Sequence, residues 1–344
     1  MNIIKKIFIA VLALAAVAAC NKAEVVEQSA ANAIAFDNAF VDNAVKSVVD
    51  PSITNATLKD FAVYGFVQGA VLFDGVQVSK DITNNELGSD WKYAGTQYWI
   101  AGANYNFNAV APMTDGGWTK TAATATSTTL SFTNNGTTDL LYALATQQGQ
   151  VSSNAAVAFS FRHVLSKVKF SFENAYNATN ATIKVKDIVI TNPHKTANVV
   201  LDANTTWSDQ AVDNATEDKF TLSFGMATDA EATKDVKEDV EVAYAYGATY
   251  ESQNERFLIP STSYAYNVTF TVELLVSGQK VATYNHTVTA TFAPAPGNSY
   301  DIKAVINAEN IDPNHAQEPI EFTVSTLPGW NTATNVNAQY PQNN

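Results

Sequence analysis

The sequence predicts an all-β protein made of β-sandwich domains behind a secretory leader. Three observations carry this. Short stretches alternate apolar and polar residues with a period of two, turn signals separate them at regular intervals, and no segment sustains a 3.6-residue period. Composition agrees. The 344 residues are 46% hydrophobic and 11% aromatic, enough for substantial cores and long enough for two domains. Thr, Val, Tyr and Phe, all abundant here, suit pleated, half-buried surfaces.

The first residues set the compartment. Lys5 and Lys6 precede an apolar run over 7–17, too short to span a hydrocarbon core. The small residues Val17, Ala18 and Ala19 then lead directly into Cys20, the chain's single cysteine. A charged start, a short apolar middle and small residues at the end read as a secretory signal over 1–19. A cysteine at that point reads as a lipobox. Its thiol carries the lipid and its freed amine a further chain, and several acyl chains anchor stably where one does not. A lone thiol makes no internal disulfide, so the mature protein is expected to rely on burial alone. The small, polar residues to position 31 form the expected tether.

Strands follow in order. Ile34, Phe36 and Phe40 share one parity and mark a short first strand, with a break at Asp50-Pro51. Over 58–67, Phe61 and Val63 alternate with Ala62, Tyr64 and Phe66. Residues 71–73 meet Asp74-Gly75, a hairpin signal, before Val76 and Val78. A strand pair is expected over 98–110, broken at Gly102 and ending at Pro112. Residues 130–132 meet a second hairpin signal at Asn134-Asn135-Gly136. Segments 157–161 and 164–172 alternate well, with a soft domain boundary between them.

The second half repeats this pattern. Over 183–190 the parity predicts Ile183, Val185, Asp187 and Val189 on one face. Further strands are expected at 199–201, 220–224 and 240–246, the last with Tyr244 and Tyr246 on one face, and at 257–259. Segments 266–276 and 281–292 form a hairpin around Ser277-Gly278. The last strands are 299–306 and 320–324, before Pro328-Gly329-Trp330 and a polar tail over 331–344. Residues 229–239 read as a short helix or a charged loop.

Little in the chain points to catalysis. His163, His194, His286 and His315 have no metal-ligand spacing with a second His, Cys or acidic partner. There is no phosphate-cradling glycine loop, no Gly-x-Ser-x-Gly elbow and no thiol beyond Cys20. The formal net charge of −13 argues against nucleic acid, whose phosphates need a basic stripe. No cofactor is implied. Trp91, Tyr93, Tyr98, Trp99, Tyr105 and Trp118 fall close together. They read either as a sugar-stacking platform or, preferably, as sandwich core and cross-strand pairs.

Several segments together resemble one family. They are Ile34-Ala-Phe-Asp-Asn-Ala-Phe40, Leu58-Lys-Asp-Phe-Ala-Val-Tyr-Gly65, Tyr105-Asn-Phe-Asn-Ala-Val-Ala-Pro112, Phe161-Arg-His-Val-Leu-Ser-Lys-Val-Lys-Phe170, Pro296-Gly-Asn-Ser-Tyr-Asp-Ile302, Ile320-Glu-Phe-Thr-Val324 and Gly329-Trp330. With the lipobox, their order is similar to that of the fimbrillins (Mfa-like/FimA-like), subunits of type V pili. The resemblance implies two tandem transthyretin-like Greek-key β-sandwich domains, at 32–160 and 161–330. It also implies an outer-membrane lipoprotein that partners other fimbrial subunits and supports adhesion and biofilm. A trypsin-like maturation protease would cut between Lys46 and Ser47, where family sites usually carry Arg. The displaced strand would hold Ile34, Phe36 and Phe40, and a donor strand would hold Ile320, Phe322, Val324 and Trp330. The competing reading keeps that last strand in its own domain. A monomeric glycan-binding surface lipoprotein, using Trp91 and Trp99, is the alternative to a pilus subunit. An enzyme is not expected.

Overall fold

A computed structural model describes residues 32–41, 53–54, 57–83, 86–151, 154–212, 220–222, 243–252, 255–311, 320–327 and 330. Cys20, Lys46, Ser47, the leader, the tether, the tail and the 229–239 segment lie outside these residues.

The described residues are almost entirely β. In chain order the strands are β1 (Phe36–Val41), β2 (Asp60–Val67), β3 (Ala70–Thr83), β4 (Glu86–Tyr93), β5 (Asn104–Ala111), β6 (Trp118–Ala123) and β7 (Thr128–Thr133). Next come β8 (Leu141–Gln148), β9 (Val157–His163), β10 (Ser166–Asn174), β11 (Ala181–Ile190), β12 (His194–Leu201), β13 (Thr205–Val212) and β14 (Phe220–Leu222). Then follow β15 (Tyr244–Ala245), β16 (Thr249–Glu251), β17 (Arg256–Leu258), β18 (Tyr264–Val276), β19 (Gln279–Phe292) and β20 (Ser299–Ile306). A single helical turn, α1 (Ala308–Ile311), precedes β21 (Phe322–Leu327).

These strands build four sheets in two facing pairs. A seven-stranded sheet has the order β1-β9-β8-β5-β2-β3-β4 and faces a four-stranded sheet, β13-β12-β7-β6. In the other pair, β16-β10-β20-β21 with β17 faces β14-β11-β18-β19 with β15. The four-stranded sheet is composite. β12 pairs antiparallel with β7, from Thr196 opposite Thr133 to Leu201 opposite Thr128, so residues after 190 complete a layer begun before 135.

The centre of the seven-stranded sheet is buried on both faces, and β2 shows how the sequence arranges this. Phe61 and Val63 enter one core while Ala62, Tyr64 and Phe66 enter the other. Both parities of the strand are apolar, as a doubly covered strand requires. The sheet curls until its two edge strands meet. The rings of Phe36 on β1 and Tyr93 on β4 lie 5.4 Å apart, and the Tyr93 hydroxyl donates to the Ile34 carbonyl at 2.7 Å.

Several expected turns fall elsewhere. Asp74-Gly75 is not a hairpin but a bulge inside β3, because Tyr64 pairs with Asp74 while Val63 pairs with Val76. The turn joining β2 and β3 is Gln68-Gly69, both with positive φ (48° and 84°), the requirement of a type I′ turn. Asn134-Asn135-Gly136 also makes no hairpin. The Asn134 and Asn135 side chains accept from nearby backbone N–H groups, and the chain leaves one sheet of the pair for the other. Tyr98 forms only an isolated bridge to Ala33. In β11, a register shift around Asp187 (φ 54°) flips the parity, so Ile188 and Ile190 are buried rather than Asp187 and Val189. Tyr244 is buried but Tyr246 is exposed in the following turn. The Ser277-Gly278 hairpin and the strands beside it stand where the sequence put them.

Gly65 of β2 lies under the rings of this core. A methyl group there would meet Phe73 Cδ2 at 2.5 Å and Phe107 Cδ1 at 3.1 Å. Gly65→Ala therefore overpacks a buried site and is expected to cost about 1–3 kcal/mol. Urea unfolding of variant and parent checks this; equal midpoints would refute the packing account.

Candidate functional site: the terminal strands

The first described strand acts as a seam. Residues 32–36 are bonded on both flanks. On one side Val157 N–H donates to the Ala35 carbonyl (2.8 Å) and β1 runs parallel to β9 from Phe36 opposite Val157. On the other, Ile34 N–H donates to the Gln97 carbonyl (2.8 Å) and Trp99 N–H to the Asn32 carbonyl (3.0 Å). The Asn32 side chain is held as well, by a bond from Asn154 Nδ2 to its Oδ1 at 2.7 Å. β1–β9 and β10–β20 are the two parallel pairings among the described residues. A parallel neighbour cannot be reached by a tight turn, and a connection of more than a hundred residues separates β1 from β9.

Packing matches the hydrogen bonding. Ile34 is 2% exposed and Phe36 4%. The Phe36 ring meets those of Phe61, Phe73, Tyr93, Phe107 and Phe159 at centroid distances of 5.4–6.4 Å. Burying these two side chains contributes roughly 3–6 kcal/mol. Phe40 lies on the same strand, at the level of Ser160 of β9.

The last described strand sits differently. β21 pairs antiparallel with β20, from Ser299 opposite Leu327 to Ala304 opposite Phe322. It is the last strand in its sheet order, two residues later than the pattern places it. Phe322 and Val324 are half-buried, with Phe322 against Phe170, Phe172 and Phe270. Ile320 is buried in the same core. Trp330 leaves it for the other pair of sheets, where its ring stacks on His163 (4.4 Å) and Phe257 (5.7 Å).

Around Trp330 lies a buried polar cluster the sequence did not reveal. His163 Nδ1 is 2.7 Å from Asp139 Oδ2, both side chains fully buried, and the Asp139 carboxylate also accepts from Ile53 and Leu140 N–H groups. Lys167 Nζ stands 5.0 Å above the Trp330 ring and 2.9 Å from Glu255, again buried. His163 and Lys167 belong to one of the motif segments and Trp330 to another. Their spacing of more than 160 residues hides the contact.

The aromatic stretch around Trp91 is core rather than platform. Trp99 is 2% exposed beside Tyr105, Trp91 packs on Phe61 at 4.8 Å, and Trp118 joins the opposite core. No group of three or more metal-ligating side chains occurs among the described residues. None of their helices is long and apolar enough to cross a membrane.

The model of the fimbrillin-like family matches residues 49–326, and the chain belongs to that family. Among solved structures, two from Bacteroides uniformis and Bacteroides ovatus, described as "putative cell adhesion protein", are 15% and 14% identical. They cover 88% and 87% of this chain and 100% and 97% of their own, with TM-scores of 0.44 and 0.45. A fimbrial protein from B. ovatus is 12% identical and covers 81% of this chain and 51% of its own, with a TM-score of 0.37. No curated protein matches.

Phe36→Ala is expected to cost about 3–5 kcal/mol by opening a cavity among five aromatic rings. Chemical unfolding reads this directly; a loss under 1 kcal/mol would mean that β1 is not what closes the core (about a fivefold change in the equilibrium).

Proposed function

We propose that this chain is a structural subunit of a cell-surface fimbrium, exported as a lipoprotein through Cys20 and assembled by exchange of its terminal strands. The observation that carries the reading is the seam. β1 ends its sheet, Ile34 just before it and Phe36 within it are almost wholly buried, and it is joined to the rest of the chain through the segment that contains Lys46. A trypsin-like protease cutting between Lys46 and Ser47 would leave β1 held by non-covalent contacts alone. Its departure opens a groove lined by the rings that surround Phe36 and bordered by the unpaired edge of β9, a template for another strand.

The C-terminal strand is the proposed donor. Phe322 and Val324 are only half-buried on their own sheet, and the strand carries them in alternation with Glu321, Thr323 and Ser325. In a neighbour's groove the same apolar residues would be enclosed on more sides. A head-to-tail contact of this kind does not close on itself and extends into a filament. Other subunits of the same fimbrium are the partners, and adhesion with biofilm formation is the use.

Limited trypsin digestion of protein lacking residues 1–20 tests the scheme. Intact mass is expected to place a cut after Lys46, followed by a ladder that survives boiling in detergent. Removal of residues 319–344 is expected to abolish the ladder without preventing the cut. A chain cut at Lys46 that stays monomeric would overturn strand exchange, and ladders from the truncated chain would overturn the donor assignment.

A further inference from the structure

A cleft of about 810 Å³ opens where the two pairs of sheets meet, between β13 and the loops at 260–264 and 293–296. Nothing in the strand-exchange scheme uses it. Its walls are tied together. Gln210 Nε2 donates to the Pro260 carbonyl at 2.5 Å, and Ser261 N–H donates to the Pro294 carbonyl at 2.9 Å. Behind the second loop, the Tyr300 hydroxyl donates to the Ala293 carbonyl (3.1 Å) and Ser166 Oγ to the Ala295 carbonyl (2.7 Å). A cleft held in this way is formed before any ligand arrives, which lowers the ordering cost of binding.

Its surface has a definite chemistry. Trp207 is half-buried and fixed, its Nε1 donating to the Val164 carbonyl at 3.2 Å and its ring edge-on to Phe132 at 5.7 Å. Tyr264 lies across His194 with ring centroids 4.0 Å apart, and its hydroxyl is held by the Asn192 carbonyl. Two aromatic side chains thus line the cleft in fixed positions. Under Tyr264, His194 is 8% exposed, and its Nδ1 has no hydrogen-bond partner among the described residues. Ser261 Oγ is likewise buried and unpartnered. Burial keeps the His194 ring below its ordinary pKa and therefore neutral near pH 7. Buried polar groups in native proteins normally find partners, so two orphans lining one cleft point to a polar ligand.

Charge narrows the ligand further. The lining holds one carboxylate, Asp209, and no Lys or Arg. Phosphates and other anions lack any counter-charge there. What remains is a combination of aromatic surface, hydroxyls, amide and neutral imidazole. That combination suits a ring with apolar C–H faces and hydroxyl edges. We propose that this cleft binds a short neutral oligosaccharide, with Trp207 and Tyr264 supplying flat contacts to separate sugar units and His194 and Ser261 the hydroxyl contacts. The volume lies in the range of small-molecule sites at domain junctions. This site is separate from the aromatic stretch at Trp91 and Trp99, which is core, and it does not depend on how the subunits assemble.

The test is calorimetric titration of the full chain, solubilised in detergent, with neutral gluco-, manno-, galacto- and xylo-oligosaccharides and, separately, a proline-rich peptide. Binding of at least one oligosaccharide is expected, weakened at least about fivefold by Trp207→Ala. Because Trp207 also packs on Phe132, a second variant is needed. Ser263→Trp, at an exposed position on the rim, is expected to block binding with an unchanged melting temperature. Three results would each overturn the proposal: no oligosaccharide bound at about 10 mM, binding of the peptide alone, or sugar binding that Ser263→Trp leaves intact.

Discussion

A sheet buried on both faces has to be closed somewhere, and here the closure rests on Ile34 and Phe36. The seven-stranded sheet places one set of side chains against the four-stranded sheet and curls the other set inward. Curling brings β4 round towards β9, and the remaining gap is one strand wide. β1 fills it with the ring of Phe36 at its centre and with backbone bonds on both flanks. The inward-facing rings Phe61 on β2, Phe107 on β5 and Phe159 on β9 make sense only once that gap is filled, because they pack directly on Phe36.

The two halves of the chain are joined by more than a linker. β12 and β13 extend the sheet begun by β7. Arg162 on β9 donates to the carbonyls of Asp202 and Ala203 in the turn between β12 and β13, and its partial burial lowers its pKa without threatening its charge. Trp330 then reaches from the end of the C-terminal strand into the opposite core, between His163 and the Lys167–Glu255 pair. Buried ion pairs of this sort add little net stability compared with apolar packing. Breaking one partner is costly, so they penalise any other arrangement of the groups around them. Within the single chain the C-terminal strand is held near both of its ends, by Ile320 in one core and Trp330 in the other, and the proposed donation would give up both contacts.

How much of this could be read in advance depended on whether the information was local. Alternation placed β2, β9, β10, β18, β19 and β20, because period-two burial is written residue by residue. The Ser277-Gly278 turn was legible because both residues adopt positive φ between long, well-patterned strands. Asp74-Gly75 misled for an instructive reason. A glycine at positive φ serves a bulge as well as a turn, and the choice is made by the neighbouring strand, which sequence alone does not display. The parity flip at Asp187 has the same origin. Phe36 was legible as an apolar strand residue but not as the centre of an aromatic cage, since its partners come from positions 61 to 159. The Asp139–His163–Trp330 cluster and the cleft at His194, Trp207 and Tyr264 left no local trace. Each is assembled from segments far apart in the chain, the latter from β12 and β13 of one sheet and the start of β18 in another.

In the proposed maturation, cutting between Lys46 and Ser47 removes no contact around Phe36, so the change must be one of concentration rather than of interaction. While β1 is covalently attached, its return to the groove is intramolecular, with an effective concentration in the millimolar range for a short linker. Once cut, the strand is a separate peptide that must find the groove at its own bulk concentration. A fall from about 1 mM to 1 nM is worth about 8 kcal/mol, larger than the roughly 3–6 kcal/mol from burying Ile34 and Phe36. The backbone bonds to β9 and to residues 97–99 offset part of that difference, which slows the departure of β1. A neighbouring subunit anchored beside the groove has the opposite advantage, since confinement at a surface keeps its C-terminal strand at high local concentration. In the proposed scheme attachment would therefore decide the occupant: the chain's own strand before the cut, and a neighbour's strand after it. A seam this well packed is compatible with exchange when the incoming strand brings a large apolar side chain of its own to the groove that held Phe36.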